Sequence, residues 1–459
     1  MSENSISLKL EEFGSIFFIG IGGVSMSSLA MIAHSGGCRV AGSDRTQSKV
    51  TDELEKSGIN VCYGHCADNV EGFDTVVYTA AVREDNPELA RARQLGIKVM
   101  KRAEFLGALM KRYDNRIGVA GTHGKSTVTS MLAMIYLGAD RDPTVLSGAE
   151  IGDMGGSYRM GGKRDFIFEA CEYADSFLSF YPTVAVVTNV EYDHSDYFKT
   201  FDQMVASFDK YVSFAEKAVF NFDCEKSREI AKRYEGSCLS WAFDNEEADY
   251  LIKNIQAGPG MQSFDLVKDG EVACKIELTV PGRHNVADAA AAAVTALNDG
   301  ISPEAIAEAL RNFHGAKRRF DYRGKLNGAP VYDDYAHHPS EIHAVIGAAR
   351  EVTKENGRVI CVFQPHTYTR TEQFFDGFVS SLSEADKVVL AEIYAAREVN
   401  TTGISSEKLA NKIDGAVYLD SFEKIAEYLA KECRAEDTLI IVGAGDIVSL
   451  GGMLPLSCE

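Results

Sequence analysis

The sequence predicts an α/β protein of three domains, each with a mostly parallel sheet. Short apolar segments with the character of strands alternate with segments that have helical spacing, which is typical of doubly wound sheets. The chain has 459 residues, enough for about two to four domains of ordinary size. The pattern changes near residues 112 and 318, and we therefore expect domains at 1–112, 113–318 and 319–459.

The first domain is expected to be Rossmann-like. The apolar strand SIFFIGIGG runs into glycines, and VSMSSLAMIAHSGG follows with the apolar spacing of a helix. CRVAGSD is expected to be the second strand and DTVVYTAAV the third.

The central domain is expected to hold a P-loop-type ATPase sheet, because RIGVAGTHGKSTVTSMLAMIYLG predicts a strand, a tight loop and a helix. RDFIFEAC, TVAVVTNV and KAVFNFD have the continuous apolar character of buried parallel strands. HNVADAAAAAVTALNDG predicts a helix that stops near Gly300.

The last domain is expected to be a second Rossmann-like α/β domain. Its predicted strands are VYDDYAHHP, GRVICVFQP, KVVLAEIYA and DTLIIVGAG, with helices such as SEIHAVIGAAREV between them.

Composition argues against nucleic-acid and membrane partners. The formal net charge of −20 would repel nucleic-acid phosphates. The opening residues lack the apolar stretch of a signal peptide, and no apolar run approaches the about 20 residues needed to span a bilayer. The ten cysteines are scattered, which is typical of reduced thiols and predicts a cytoplasmic location.

The segment GTHGKST, residues 121–127, predicts a phosphate-binding loop. Gly121 and Gly124 would let the backbone turn closely around phosphate oxygens, whose charge the backbone N–H groups and the helix N-terminus favour. Lys125 would bridge the outer phosphates, and Ser126 offers a hydroxyl to Mg²⁺. The segment is shorter than the full P-loop pattern, and a glycine-rich turn with a surface lysine is the alternative.

Oxygen ligands for Mg²⁺ are expected at the ends of neighbouring strands. Glu169 ends one strand, and Asp193 and His194 follow another. A carboxylate in an apolar strand is costly unless it is paired or bound to metal, so a salt bridge is the alternative for Glu169. A loop histidine with an ordinary hydrogen-bond partner is the alternative for His194.

The segment GIGGVS, residues 20–25, is similar to a dinucleotide fingerprint in which Ser25 replaces the third glycine. Asp44 ends the second strand, where a ribose-binding acid is expected. A nicotinamide-dependent dehydrogenase and a nucleotide-sugar-binding protein therefore both remain open at this point. The missing glycine and the separate triphosphate site disfavour hydride transfer.

The last domain collects polar residues directly after predicted strands. Carboxyl ends of parallel strands meet at one edge of a sheet, where α/β proteins bind ligands. Arginines suit paired contacts to phosphate or carboxylate, and an ordinary surface loop is the alternative. The cluster comprises Arg318, Arg319, Asp333, Asp334, Tyr335, His337, His338, His366 and Arg370.

Taken in order, these motifs resemble the Mur ligases over nearly the whole chain. The strings are GIGG, GTHGKST, EACE, TNVEYDH, PGRHNV, RRFDY, YDDYAHHPSE and QPHTYTRT. The last two are specific for the branch that joins L-alanine to UDP-N-acetylmuramate, whereas GTHGKS marks only the wider group of ATP-dependent ligases. Cys171 departs from the family pattern, where aspartate is usual.

The resemblance implies a UDP-sugar-binding N-terminal domain, a central ATPase and a C-terminal amino-acid-binding domain that closes over both. It implies nucleotide-sugar binding by Gly20, Gly22, Gly23, Ser25 and Asp44. It implies ATP binding by Gly121, Thr122, His123, Gly124, Lys125, Ser126, Thr127, His284, Asn285 and Asp334. It implies Mg²⁺ binding by Ser126, Glu169 and His194. Tyr335, His337 and Arg370 would serve the amino acid and the muramoyl carboxylate, and the implied catalytic residues are Lys125, Arg319, His337 and Arg370.

The activity implied is ATP-dependent ligation through an acyl phosphate in peptidoglycan precursor synthesis, with ATP and Mg²⁺ as cofactors and a monomer or homodimer as the assembly. Two alternatives stay open within this reading. One is a ligase that attaches a recycled murein tripeptide to the same nucleotide sugar, and the other is a nucleotide-binding regulator without turnover.

Overall fold

The computed structural model describes residues 11–457 except 80, 152, 153, 155, 196, 259 and 260. These residues form two compact units. The first comprises the described residues up to Tyr192, with Thr200–Trp241 and Val294–Ile301. The second comprises Asp193–Lys199, Ala242–Ala293 and the described residues from Ser302 onward. No helix within the described residues is long and apolar enough to cross a membrane.

The first unit begins with a parallel sheet. Its elements are β1 (Ile16–Ile19), α1 (Val24–Ser35), β2 (Val40–Asp44), α2 (Lys49–Lys56), β3 (Asn60–Tyr63), β4 (Thr75–Tyr78), α3 (Pro87–Gln94), β5 (Lys98–Lys101) and α4 (Arg102–Met110). The strand order is β3-β2-β1-β4-β5 and all neighbours are parallel. The expected Rossmann-like domain is confirmed, with its crevice at the carboxyl ends of β1 and β4. The expectation that DTVVYTAAV is the third strand is wrong, because β3 precedes it and β4 ends at Tyr78.

The same unit continues with the sheet that carries the predicted phosphate loop. Its elements are β6 (Asn115–Ala120), α5 (Lys125–Gly138), β7 (Thr144–Ile151), β8 (Gly156–Arg159), β9 (Asp165–Glu169), β10 (Val184–Val187), α6 (Phe201–Val212), β11 (Lys217–Asn221), α7 (Glu225–Arg233) and β12 (Ser237–Ala242). The order is β12-β11-β10-β6-β9-β7-β8, and only β8 runs antiparallel to its neighbour. The predicted mostly parallel sheet is confirmed, and β6 is central in it.

A buried ionic network closes the amino-terminal edge of this sheet, opposite the phosphate loop. Arg141 donates to Asp165 at 3.0 and 3.1 Å and to Asp299 at 2.8 Å. The Asp165 side chain is fully buried. Asn115 and Tyr136 also donate to this network, so the carboxylates are satisfied by several donors.

The second unit contains a three-stranded meander and a six-stranded sheet. Its elements are β13 (Tyr250–Gly258), β14 (Met261–Lys268), β15 (Glu271–Leu278), α8 (Arg283–Asn298, to Ala293 in this unit), α9 (Pro303–Arg311), β16 (Asp321–Leu326), β17 (Ala329–Asp334), α10 (Pro339–Val352), β18 (Val359–Phe363), α11 (Tyr368–Gln373), α12 (Phe375–Leu382), β19 (Lys387–Leu390), α13 (Ser406–Ala410), β20 (Val417–Tyr418), α14 (Phe422–Glu432), β21 (Thr438–Val442) and α15 (Leu450–Met453).

The six-stranded sheet has the order β16-β17-β21-β18-β19-β20. β16 is antiparallel to β17 and the other pairs are parallel, which confirms the expected α/β domain. On one face of this sheet Phe363 packs against Phe378 of α12, and on the other face the sheet packs against Leu429 of α14. The carboxyl ends of β17, β18 and β21 therefore face the same edge, where the predicted polar cluster begins.

Candidate functional site

Residues 20–25, here called the glycine segment, connect β1 to α1 at the sheet's switch point. Gly20 has a φ of +79°, which favours glycine, and its N–H donates to the carbonyl of Ser43 at 2.8 Å. The N–H of Gly22 donates to the Asp44 carboxylate at 2.9 Å. A Cβ at Gly22 would lie 2.8 Å from Asp44 Oδ2, so the close approach of Asp44 to the glycine segment requires glycine at this position.

The 121–124 loop joins β6 to α5 as predicted. Gly124 is the N-cap of α5 and is left-handed, with a φ of 82°. Gly121 has a φ of +145°, and a Cβ there would lie 2.0 Å from Thr188 Oγ1. Both predicted glycines are therefore required by the backbone path. Ser126 and Thr127 follow in the first turn of α5 and are buried.

Two residues after β10 shape this loop, and the sequence analysis assigned them no role. Asn189 accepts from the N–H of His123 at 2.9 Å and donates to its carbonyl at 3.1 Å. The Thr188 hydroxyl donates to the same carbonyl at 2.5 Å. Thr122 is also held, because its hydroxyl accepts from the N–H of Glu191 at 2.9 Å. The sequence signal that could have predicted this role is the polar dipeptide Thr188–Asn189 directly after an apolar strand.

The ammonium group of Lys125 is surrounded by oxygens. It donates to the carbonyls of Gly121 and Thr122 and to both carboxylate oxygens of Glu172, at 3.0 and 3.3 Å. Burial alone would lower the pKa of Lys125, but the nearby Glu172 carboxylate outweighs it and the pKa is raised. Lys125 is therefore a permanent cation at neutral pH.

Glu169 ends β9, as predicted, and its carboxylate is held in place. It accepts from the Ser147 hydroxyl at 2.9 Å and from the N–H of Gly148 at 2.5 Å. The salt-bridge alternative is not what fixes it, since both donors are neutral. Glu169 is also near enough to Lys125 to act on it electrostatically. A fixed, partly exposed carboxylate beside a phosphate loop has the donor chemistry that Mg²⁺ prefers.

In the second unit, Asp334 ends β17 and organises the turn that follows. Its carboxylate accepts from the N–H groups of Phe320 and Ala336 at 2.8 and 2.7 Å. Burial raises the pKa of Asp334 to about 6 despite the opposing charge of Arg319. The guanidinium of Arg319 lies 5.4 Å from the centroid of the Tyr335 ring. The predicted residues Arg319, Asp334 and Tyr335 are therefore neighbours.

His284 and Asn285 lie in the first turn of α8, in the same unit. Asn285 donates to the Pro281 carbonyl at 2.6 Å, which fixes the start of the helix. Burial, and then the charge of Arg319, lower the pKa of His284 to about 4. His284 is therefore neutral at physiological pH and lies within electrostatic reach of Arg319.

Arg370 forms the centre of a second cluster in this unit. It donates to the Asp193 carboxylate at 3.0, 3.2 and 3.3 Å, and its Nη1 lies 3.3 Å from His366 Nδ1. Burial alone would raise the pKa of Asp193, but Arg370 and then His194 hold it well below its usual range. Asp193 thus fixes Arg370, a role that the sequence analysis missed.

His337 and His366 face this arginine. Their ring centroids are 6.2 Å apart. Burial lowers the pKa of His337, and it lowers the pKa of His366 to about 4, with neighbouring positive charge adding to the effect on His366. His337 Nδ1 lies 3.0 Å from the Tyr335 carbonyl, so this nitrogen is the protonated one in the neutral ring and Nε2 is the basic one. His194 has a φ of 53° and its N–H donates to Asp193 at 2.7 Å.

Comparison with protein-family models gives three matches. The Mur ligase catalytic-domain model matches residues 15–114, the Mur ligase middle-domain model matches 119–296 and the Mur ligase glutamate ligase domain model matches 318–445.

Relatives match over nearly the full length. The chain is 43% identical over 445 residues to the UDP-N-acetylmuramate–L-alanine ligase of Clostridium novyi (strain NT), covering 95% of this chain and 96% of that protein. It is similar to the crystal structure of UDP-N-acetylmuramate-alanine ligase MurC from Thermotoga maritima, with a TM-score of 0.81, 28% identity, and 96% and 97% coverage. The structure of a murein peptide ligase from Psychrobacter arcticus 273-4 has a TM-score of 0.69 at 23% identity, with 96% and 98% coverage, and shares the fold.

Proposed function

The chain belongs to the Mur ligase family, and we propose that it uses ATP to join L-alanine to the lactyl carboxylate of UDP-N-acetylmuramate. The observation that carries the proposal is the 121–124 loop, with its two required glycines and its lysine at the start of α5. The products would be the amide, ADP and phosphate, in the synthesis of peptidoglycan precursors. The relatives that carry this activity in their names support the choice of substrates.

The first chemical step is proposed to be attack of the lactyl carboxylate on the γ-phosphate of ATP, which gives an acyl phosphate and ADP. Both reactants are anions, so a fixed positive charge must lie between them. Lys125 supplies such a charge because its pKa is raised. The backbone N–H groups at the start of α5 would add partial positive charge.

Mg²⁺ is proposed to bind at Ser126 and Glu169 in the first unit, and the role of His194 remains what the family resemblance implies. The Glu169 carboxylate supports this assignment. Its two hydrogen-bond donors, the Ser147 hydroxyl and the Gly148 N–H, are neutral, so they orient the carboxylate without neutralising its negative charge. When bound, the ion would neutralise phosphate charge. Thr188 and Asn189 keep the loop in shape for the nucleotide.

The second step is attack of the L-alanine amine on the acyl carbon, with loss of phosphate. Arg370 is proposed to bind a carboxylate, and Asp193 orients it. The amine must lose a proton, and His337 is neutral at physiological pH because its pKa is lowered. Its basic Nε2 makes it the proposed proton acceptor, with Tyr335 and Arg319 completing the cluster.

The test is phosphate release from ATP and Mg²⁺ with UDP-N-acetylmuramate, in the presence and absence of L-alanine. Release that requires both substrates is expected in the wild type and should collapse in Lys125→Met. Lys217→Met is the matched control, because Lys217 is an exposed lysine at the start of β11 in the same sheet, and it should keep wild-type turnover.

Two outcomes would overturn the proposal. Release with a murein tripeptide but none with L-alanine would assign the chain to peptide recycling. ATP binding by a folded protein that turns over no amine would identify a regulator.

A further inference from the structure

Arg102, the first residue of α4, carries a charge that its surroundings do not neutralise. Its Nη1 donates to the Ser25 hydroxyl at 2.9 Å. Within the described part of the chain Arg102 has no carboxylate partner at ion-pair distance. The nearest candidate by sequence, Glu104, is exposed and accepts from the N–H of Lys101 at 2.7 Å instead.

A guanidinium in this position is costly unless something binds it. Burial lowers the pKa of Arg102, because desolvation disfavours the charged form of the guanidinium. Transfer of an ionised group from water without a counter-charge is strongly unfavourable. Arg141 shows the contrasting case, because its guanidinium is paired with two aspartates.

The hydroxyl that Arg102 contacts belongs to the glycine segment, where α1 begins. The first turn of α1, VSMS, contains no acidic residue to occupy its free N–H groups. Val24 is 53% exposed, so this end of the helix is open to solvent. Because Ser25 accepts from Arg102, its own hydroxyl hydrogen remains available to donate.

Three donors of different kinds therefore converge: a guanidinium, a hydroxyl and a helix N-terminus. From this convergence we propose that Arg102 is a substrate-binding residue that contacts the diphosphate of UDP-N-acetylmuramate together with Ser25. The diphosphate carries the charge that the site lacks, and guanidinium groups bind phosphate oxygens in pairs. The inference rests on the proposed binding of the nucleotide sugar at the glycine segment.

Position supports this choice over a purely structural contact. Helix α4 packs closely against the segment Tyr173–Ser179, because a Cβ at Gly107 would lie 1.9 Å from the Ser179 carbonyl oxygen. This contact holds the middle of α4 in place, and the first residue of the helix contacts the glycine segment at Ser25. Arg102 is therefore held in place by the helix, whatever its side chain binds.

The experiment compares Arg102→Met, Arg102→Lys and the matched control Arg91→Met, a partly exposed arginine of α3 that pairs with Glu71. The dissociation constant of UDP and the KM of UDP-N-acetylmuramate should both rise about 10- to 100-fold in Arg102→Met, with an unchanged KM for ATP. Arg102→Lys should lie between the two because lysine keeps the charge and loses the paired geometry. Arg91→Met should bind like the wild type.

The melting temperature separates binding from structure. Removing a half-buried charge that has no carboxylate partner should leave the Tm of Arg102→Met unchanged or raise it, whereas a structural arginine would lower it. A lower Tm with unchanged UDP affinity would overturn the inference. Weaker binding of UDP-N-acetylmuramate with unchanged binding of UDP would also overturn it. UDP contains the diphosphate and lacks the lactyl carboxylate, so a residue that contacts the diphosphate must affect both ligands.

Gly22→Ala tests the underlying placement, since its Cβ would clash with Asp44. If Gly22→Ala weakens UDP binding and Arg102→Met does not, only the role of Arg102 is refuted. If neither variant weakens it, the glycine segment is not the nucleotide site and the proposed placement of the substrate fails with it.

Discussion

Gly121→Ala should disable the 121–124 loop without unfolding the protein. The added Cβ would lie 2.0 Å from Thr188 Oγ1 and 3.1 Å from the backbone N and O of Asn189. The φ of +145° adds strain, because side chains other than glycine rarely adopt it. The loop must therefore move away from the residues that hold His123.

The magnitude follows from these two effects. Backbone strain of this kind costs about 1–3 kcal/mol, and relief of the clash requires a displacement of roughly 1 Å, which can cost about 100-fold in rate. We expect kcat/KM for ATP to fall about 100-fold. The fall in the melting temperature should be small, because the loop is a local part of a large unit.

The assay is steady-state release of ADP at varied ATP, with a thermal melt of each variant. Gly347→Ala is the matched control, because Gly347 lies within α10 and a Cβ there meets nothing within 4 Å among the described residues. Alanine also favours helix over glycine by about 1 kcal/mol. This control should keep its activity and melt at the same temperature or higher.

The double variant Gly121→Ala/Thr188→Ala provides the decisive comparison. Removing Oγ1 deletes the 2.0 Å contact and also the hydrogen bond to the His123 carbonyl, so the loss of activity in the double variant should be smaller than the combined losses of Gly121→Ala and Thr188→Ala measured singly. Wild-type kcat/KM in Gly121→Ala, or an additive loss in the double variant, would refute the reasoning.

Two further variants, one in each unit, test how buried charged groups affect stability. Arg141→Met should destabilise the first unit by about 3–5 kcal/mol in urea titrations, because it leaves buried Asp165 and its neighbour Asp299 without their cation; a change below 1 kcal/mol would contradict this. Asp333→Asn should stabilise the second unit by about 3 kcal/mol at pH 7, since burial raises the pKa of Asp333 to about 6 against the charge of Arg323. Ionisation of Asp333 destabilises the folded state. This destabilisation is complete above pH 6 and absent below the ordinary carboxyl pKa. The gain in stability from Asp333→Asn should therefore vanish near pH 4 in thermal melts.

Local patterns predicted the parallel sheets and their loops. The strand, loop and helix around Lys125 could be predicted because consecutive residues provide the apolar strand, the glycines and the helix start. The edge strands could not. β3 has only one buried residue in four, and the end of β13 is exposed, so neither has the apolar run of a central strand.

The residues that support the site were the least predictable. Thr188 and Asn189 act on His123 from more than 60 positions away in the sequence, and Arg102 meets Ser25 across 77 positions. Such contacts depend on the packing of whole elements, and no local motif records them. Asp193 was noticed as an acid near a strand end, yet its partner Arg370 is 177 positions away.

The coordination of Lys125 has a consequence for selectivity among anions. Its ammonium already engages two carbonyls and a carboxylate, so an incoming phosphate gains only the difference between its own attraction and that of Glu172. Singly charged inorganic phosphate would gain little binding free energy by replacing Glu172 at Lys125. A triphosphate that contacts the loop at several points would gain much more. Glu172 thus competes with incoming anions for the Lys125 ammonium. The loop therefore binds simple anions weakly because of this competition as well as because of its shape.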